Sequence, residues 1–401
     1  MTTNIKQIII IFLMTLYCDI NANNITPASH RINSYIHLIK DKHIAVVSNQ
    51  TSVIQNTHIV DSLIQLNIKV KKVFAPEHGF RGEKDAGEII NDNFDKKTGL
   101  PIISLYGKNK KPTKFQLENI DVILFDIQDV GVRFYTYLST LHYVMEAAAE
   151  NNIPVIVLDR PNPNNHYIDG PVLKKEFSSF VGLHPVPIVY AMTIGEYAKM
   201  INGENWIKKK CDLTVIKMKD YSREQEYQLP IKPSPNLPNT KSINLYPSLC
   251  LFEGTNVSVG RGTDIPFQQF GSPFLKGNYN FIPKSKNGSK NPKHKGLKCY
   301  GTNLQYLDIH LNSINLNWLI NCYNETTNKE KFFNSFFDKL AGTNRLRNDI
   351  ISGKNESEIK KSWQNDMKSF LQMEEIILSI WGVETIEYHM LQEEGHRLIL
   401  K

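Results

Sequence analysis

Five short apolar runs, each closing on a polar cluster, constrain this chain more than any other feature. "HIAVVSN" (43–49), "KVKKVFAP" (69–76), "PIISLYG" (101–107), "DVILFDIQ" (121–128) and "PVIVLDR" (154–160) predict strands. Helical periodicity fills the gaps between them. "THIVDSLIQLN" (57–67) predicts a helix and "KFQLEN" a short helical piece. "TYLSTLHYVMEAAAENN" (136–152) predicts the clearest helix, being rich in Ala, Leu, Met and Glu. "TIGEYAKMINGENWI" opens on a capping box, Thr193 with Glu196, and "DLTVIKMK" (212–219) adds a sixth strand. Strands alternating with helices give a parallel sheet covered on both faces, and unbroken apolar runs suit strands buried on both sides. The expected fold class is therefore α/β, with a mostly parallel sheet over residues 27–270.

The pattern changes after residue 271. "LQYLDIHL" (304–311) is strand-like, and "EKFFNSFFDKLAG" predicts an amphipathic helix ending at Gly342. "NESEIKKSWQNDMKSFL" offers a second capping box, Asn355 with Glu358, and sets Ile359, Trp363, Phe370 and Leu371 on one helical face. Residues 271–401 are expected to form a smaller α+β domain. Two polar stretches interrupt these patterns. "PIKPSPNLP" (230–238) has four prolines and must be extended, as a linker or a rigid cleft wall. "PKSKNGSKNPKHKG" (283–296) is expected to be an exposed lysine-rich loop.

The N-terminus has a different character. Lys6 precedes the apolar run "IIIIFLMTLYC", and "INA" ends in a small residue. Residues 1–22 are therefore expected to be a secretory signal peptide, placing the protein in the periplasm or outside the cell. Lipidation at Cys18 is a secondary expectation, disfavoured by Tyr17 before it. The chain carries a net charge of +7, which suits an anionic polymer; the plainer explanation is a composition rich in Lys, Asn and Ile. Only 9 of the 47 basic residues are arginines, and Arg81, Arg133, Arg160 and Arg261 fall in glycine- and acid-rich segments. Arginine offers a planar fork for carboxylates, so these positions hint at anion recognition or at loop bracing. Cys211, Cys250, Cys299 and Cys322 match no zinc spacing and stand either as disulfides or as buried thiols.

The strand ends carry the chemistry. They are Asn49-Gln50, Glu77-His78, Tyr106-Gly107, then Asp126, Gln128 and Asp129, and finally Asp159-Arg160. Ligands of open α/β sheets bind at the carboxyl ends of the strands, so a succession of polar ends suggests a polar ligand site. No dinucleotide fingerprint, phosphate-binding loop, H-E-x-x-H pair or G-x-S-x-G elbow occurs. What remains is carboxylates in glycine-rich loops, the material of acid–base chemistry on sugars. Each candidate also has a plain structural explanation. Glu77 could pair with Arg81, His78 could make a structural hydrogen bond, Asp126 and Asp159 could cap helices, and Tyr135 and Tyr137 could be core or could stack on a sugar. Pro76 before Glu77 and Gly79 after His78 argue for a fixed tight turn, which a surface ion pair does not need.

"SNQTSV", "FAPEHGFRG", "FDIQDVGVRFYTYLSTL", "LDRPNPN", "SPNLP", "LFEGTNVSVGRGTDIPFQQFGSP" and "GTNRLRNDIISGKNESEIKKSW" together resemble the exo-β-N-acetylmuramidases of the NamZ family across residues 44–370. The resemblance implies an exported glycosidase that removes terminal N-acetylmuramic acid from non-reducing ends of peptidoglycan fragments. It implies a Rossmann-like catalytic domain facing a smaller C-terminal domain across a cleft. It makes Glu77, the glutamate of the P-E-H-G motif, the catalytic acid. Asp126, Asp159, Glu253 or the substrate's own acetamido group would act at the anomeric carbon. Asn49, His78 and Asp159 are candidate substrate contacts, and Arg81, Arg160 and Arg261 are candidates for the lactyl carboxylate. The expected partners are peptidoglycan-derived muro-oligosaccharides and not nucleic acid, with no metal or organic cofactor required. The alternatives are a non-catalytic wall-binding protein and a metal-dependent carbohydrate deacetylase. The resemblance gives no role to the closing stretch from Trp381 onward.

Overall fold

The computed structural model describes residues 25–81, 93–380, 388–390 and 398–400. The expected signal peptide, residues 82–92 of the stretch after Glu77, and most of the closing stretch lie outside them. Ten strands belong to the first part of the chain. They are β1 (His43–Ser48), β2 (Val53–Ile54), β3 (Thr57–His58), β4 (Lys69–Ala75), β5 (Asn93–Phe94), β6 (Pro101–Ser104), β7 (Val122–Asp126), β8 (Val155–Leu158), β9 (Tyr167–Ile168) and β10 (Leu213–Ile216). Seven form one sheet in the order β10-β8-β7-β1-β4-β6-β5. Every pairing is parallel except that of β5 with β6.

The unbroken apolar runs have the predicted cause. Ala45, Val47, Ile123, Phe125, Val155 and Val157 pack into one core. Their neighbours Ile44, Val46, Val122, Leu124, Ile156 and Leu158 pack into a second core on the other face. Successive side chains of a strand point to opposite faces, so a strand covered on both sides must be apolar throughout. The helix Tyr137–Glu150 lies against the first core, burying Leu138, Leu141, Val144 and Met145. The Thr193–Glu196 box caps the helix Ile194–Gly203 as expected.

The second part of the chain holds β11 (Gln269–Ser272), β12 (Tyr279–Phe281) and β13 (Cys299–Asn303), an antiparallel sheet in the order β11-β13-β12. Helices Asn317–Glu325, Phe337–Ala341, Arg345–Ile351 and Gln364–Ile380 accompany it. The overall arrangement is the α/β fold with a smaller α+β domain. Two local expectations need correction. The stretch 304–311 forms no strand: Leu304 is buried, but Tyr306 is 85% exposed and nothing pairs with it edge to edge. The helix expected across 330–342 is confined to Phe337–Ala341, because Phe332 and Phe333 turn into an aromatic cluster with Tyr323. Gly342 closes that helix with φ 75°, as a left-handed C-cap. The Asn355–Glu358 capping box forms as expected.

One buried side chain ties the two parts together. Arg133, 2% exposed, donates to the carbonyls of Pro171 and Val186 at 2.7 Å on one side. On the other it donates to Leu340 (3.0 Å) and Ala341 (2.8 Å), the C-terminal carbonyls of the Phe337–Ala341 helix. A cation at a helix C-terminus is favourable for both the open carbonyls and the helix dipole. The four described cysteines are buried free thiols. No helix among the described residues is long and apolar enough to cross a membrane.

Candidate active site

A cleft of about 870 Å³ opens beyond the carboxyl ends of β4 and β6 and is closed on its far side by residues of the 246–293 region. Glu77 stands at its mouth, two residues beyond β4. The turn beneath it is tight: His78 and Gly79 both have positive φ, 70° and 80°, and Gly79 N–H donates to Pro76 O at 3.0 Å. A histidine in this conformation is uncommon and requires a surrounding structure that fixes it. Two hydroxyls address the Glu77 carboxylate. Thr136 Oγ1 donates to Oε2 at 2.8 Å, and the Tyr106 phenol, two residues beyond β6, also hydrogen-bonds to it. Burial, with Glu77 beside it, pushes the Tyr106 phenol well above its usual range, so Tyr106 is a donor. His78 lines a narrower recess beside Glu77, together with Tyr137, Ser234 and Leu237.

The opposing wall carries a second carboxylate. Glu253 sits in the single-turn helix Cys250–Gly254 and receives a bidentate fork from Arg261, Nε to Oε1 at 2.6 Å and Nη2 to Oε2 at 2.9 Å. Arg261 is presented by a loop with glycines on both sides, Gly260 (φ 77°) and Gly262 (φ 79°). A Cβ at Gly262 would stand 2.3 Å from the Lys284 carbonyl, so only glycine fits there. Lys293 braces the same helix, directing its ammonium at the carbonyls of Phe252 (3.0 Å), Glu253 (3.3 Å), Thr255 (2.6 Å) and Val257 (3.1 Å). Burial tends to raise the Glu253 carboxyl, but Arg261 and Lys293 outweigh it and hold the group below its usual range. Burial brings Lys293 down to about 8. Glu253 is therefore an ionised carboxylate at neutral pH.

Of the residues singled out in the sequence, Glu77, Glu253 and Arg261 line the cleft, and His78, Tyr135 and Tyr137 its recess. The others are not brought there. Asp126 is fully buried at the end of β7, its oxygens held by Arg160 at 2.6 and 2.8 Å. Burial of the pair, more than the pairing itself, takes Asp126 and Arg160 out of reach of a substrate. Asp159 accepts from Gly195 N (2.8 Å) and Thr193 Oγ1 (3.0 Å) at the start of the Ile194–Gly203 helix, a capping role. Burial, then Glu196 nearby, raises its carboxyl to about 7. Arg81 forks onto Asp95 at 3.0 and 2.8 Å. Asn49 is fully buried and accepts from Thr51 through N (2.9 Å) and Oγ1 (2.6 Å), ordering the turn after β1. Tyr135 and Tyr137 are core residues whose hydroxyls donate to Pro233 O. They fasten the proline stretch as a rigid wall, and Ser234 and Leu237 within it line the recess. Among the described residues no three His, Cys, Asp or Glu side chains converge as a metal would require.

Four cleft residues carried no sequence signal of their own. Thr136 is hidden inside the helix pattern, and Phe180 and Lys110 lie in loops without a motif. Lys293 is one of five lysines in residues 283–296, a stretch expected to be exposed. Its segment 288–293 instead forms part of the cleft wall.

Fold and cleft define a class: a two-domain α/β protein with a polar cleft at the carboxyl ends of a parallel sheet, walled on its far side by residues 246–293 with Phe336 and Leu340. Residues 44–241 match the family model for the N-terminal domain of exo-β-N-acetylmuramidase NamZ, and residues 244–378 the model for its C-terminal domain. The chain belongs to this family. It is 41% identical over 361 residues to the peptidoglycan β-N-acetylmuramidase NamZ of Bacillus subtilis, covering 84% of this chain and 86% of the relative. Two DUF1343 family proteins of Bacteroides fragilis have similar crystal structures. One has a TM-score of 0.82 at 43% identity, the other 0.74 at 29%, and each comparison covers 88% of this chain and 98% of the other.

Proposed function

We infer that the protein is an exo-acting glycoside hydrolase that releases terminal N-acetylmuramic acid from the non-reducing ends of peptidoglycan fragments, with Glu77 as its general acid. The observation that supports this reading is that Glu77 and Glu253 share one cleft in different settings. The hydroxyls of Thr136 and Tyr106 hydrogen-bond to Glu77, whereas Arg261 and Lys293 hold the Glu253 carboxyl below its usual range. Pairs of carboxylates with contrasting environments divide the acid and base roles of glycoside cleavage. Glu77 gives its proton to the glycosidic oxygen as the bond to the anomeric carbon breaks, so the remainder of the glycan leaves as an alcohol. Glu253 stays ionised, offsets the positive charge developing at the anomeric carbon and takes the proton of the water that adds there. Tyr106 and Thr136 hold the Glu77 carboxyl in place.

Glu77→Gln tests the assignment. It keeps the shape and removes the transferable proton, so turnover of a natural disaccharide is expected to fall by about 10²–10⁴. A nitrophenyl muramide needs less protonation of its leaving group and should lose less. Equal losses on both substrates, or near wild-type turnover of the disaccharide, would sink the acid role. A wall-binding protein would bind muramides and release no free sugar.

We also propose that the protein is exported, with residues 1–22 as its signal and a mature chain beginning near Asn23. The apolar run after Lys6 supports this. Mass analysis from the native host decides: an intact Met1 in a cytoplasmic fraction refutes export, and a lipid adduct on Cys18 would mark a lipoprotein.

A further inference from the structure

The sugar that distinguishes this substrate carries a lactyl carboxylate, and the arginines with the right chemistry are already matched. Arg81 holds Asp95 and Arg160 holds Asp126. Arg261 lines the cleft, but its charge is cancelled by Glu253. Lys293 lines it too, with its ammonium turned to four backbone carbonyls.

We propose that Lys110 is the specificity-determining residue of the cleft, the cation that receives the carboxylate of an acidic sugar; this rests on the muramidase reading above. Lys110 lines the same cleft as Glu77, and no carboxylate among the described residues lies within ion-pair distance of its ammonium. Its loop is anchored on both sides. Asn109 donates to Ser104 O at 2.8 Å, and Lys111 pairs with Glu146 and Glu150 at 2.8 Å each. Lys108 points to solvent. Of three lysines in four residues, one is exposed, one is bound to a helix and one is turned into the cleft.

Its position there is supported. The ammonium sits 4.9 Å above the ring of Phe180, a cation–π contact that steadies the stem without neutralising the charge. Phe180 stacks on Tyr143 with centroids 6.3 Å apart and 12° between planes. The edge contact of Phe180 with Tyr106 is 5.9 Å, and Tyr106 in turn reaches Glu77. The cation and the acid are therefore fixed to one another through two aromatic rings. With Glu253 matched by Arg261, Lys110 adds a positive charge to the cleft for an anionic ligand. A charge-assisted contact of ammonium with carboxylate is stronger than a neutral hydrogen bond and is lost when the carboxylate becomes an amide.

The test is calorimetric binding of N-acetylmuramic acid and of its lactyl carboxamide to the full-length protein. Wild type should prefer the acid. In Lys110→Met, which keeps the apolar stem, that preference should shrink by roughly tenfold or more. Lys110→Arg, which keeps the charge, should retain most of it. An unchanged acid-to-amide ratio in Lys110→Met overturns the proposal, and so does a wild-type protein with no preference. Release of free sugar from nitrophenyl muramide is read separately. A protein that binds with the Lys110-dependent preference but hydrolyses nothing upholds this proposal and refutes the hydrolase reading.

Discussion

Two arginine–carboxylate forks in this protein are nearly identical in geometry and opposite in use. Arg160 grips Asp126 at 2.6 and 2.8 Å, and Arg261 grips Glu253 at 2.6 and 2.9 Å. The first pair is sealed within the sheet domain, with side chains 6% and 0% exposed. The second lines an open cleft, at 22% and 25%. A bidentate fork organises a charged group equally well in either place. What the group can do then depends on whether a substrate can reach it. The sealed pair can only hold β7 to the loop after β8. The open pair presents an ionised carboxylate to whatever enters.

Removing one partner from each pair should separate these uses. Asp126→Asn leaves the Arg160 guanidinium buried without its counter-charge, and is expected to destabilise the fold by about 3–5 kcal/mol. Thermal unfolding would show it; a melting temperature within a degree or two of wild type would remove the distinction. Glu253→Gln should change stability by less than about 1 kcal/mol, since the pair is partly open to solvent. Its turnover should still fall by roughly 10² or more, because the ionised carboxylate of the site is gone. If turnover survives in Glu253→Gln, the acetamido group of the substrate takes the second role.

The smallest effect sharpens the comparison through pH. Only the open pair is neighboured by Lys293, which burial brings down to about 8. As pH rises through that value the ammonium becomes an amine. It then has two donors instead of three for its four carbonyls and no charge beside Glu253. Activity should decline by severalfold through pH 8, and Lys293→Arg, which stays protonated, should shift the decline upward. A pH profile flat from 7 to 9 would refute the role of Lys293.

The comparison also shows why the sequence revealed some of this site and hid the rest. Glu77 was legible because its signal is local: a buried strand, then Pro76, then a turn closed at Gly79. Asp126 and Glu253 were not separable in the same way. Each is an acid near an arginine in a glycine-containing segment, and the chemistry of the pair does not state its depth. Lys110 and Phe180 were invisible, because each comes from a different loop and neither belongs to a motif, and Thr136 was passed over between two tyrosines of a longer motif. The lysine-rich stretch 283–296 looked like solvent-exposed chain. Carbonyls of residues 252–257, distant in sequence, draw Lys293 inward.

The sequence by itself determined the layered sheet, since continuous apolar runs leave a strand no stable place except between two covered faces. It determined the capping boxes at Thr193 and Asn355 and the tight turn that presents Glu77, all set by contacts within a few residues. The tertiary structure alone decided which charges are spent inside the protein and which face the cleft. That outcome depends on long-range packing, such as Arg133 joining the smaller domain's helix to the Pro171 and Val186 carbonyls, and on how much water each charged group keeps once the chain has closed around it.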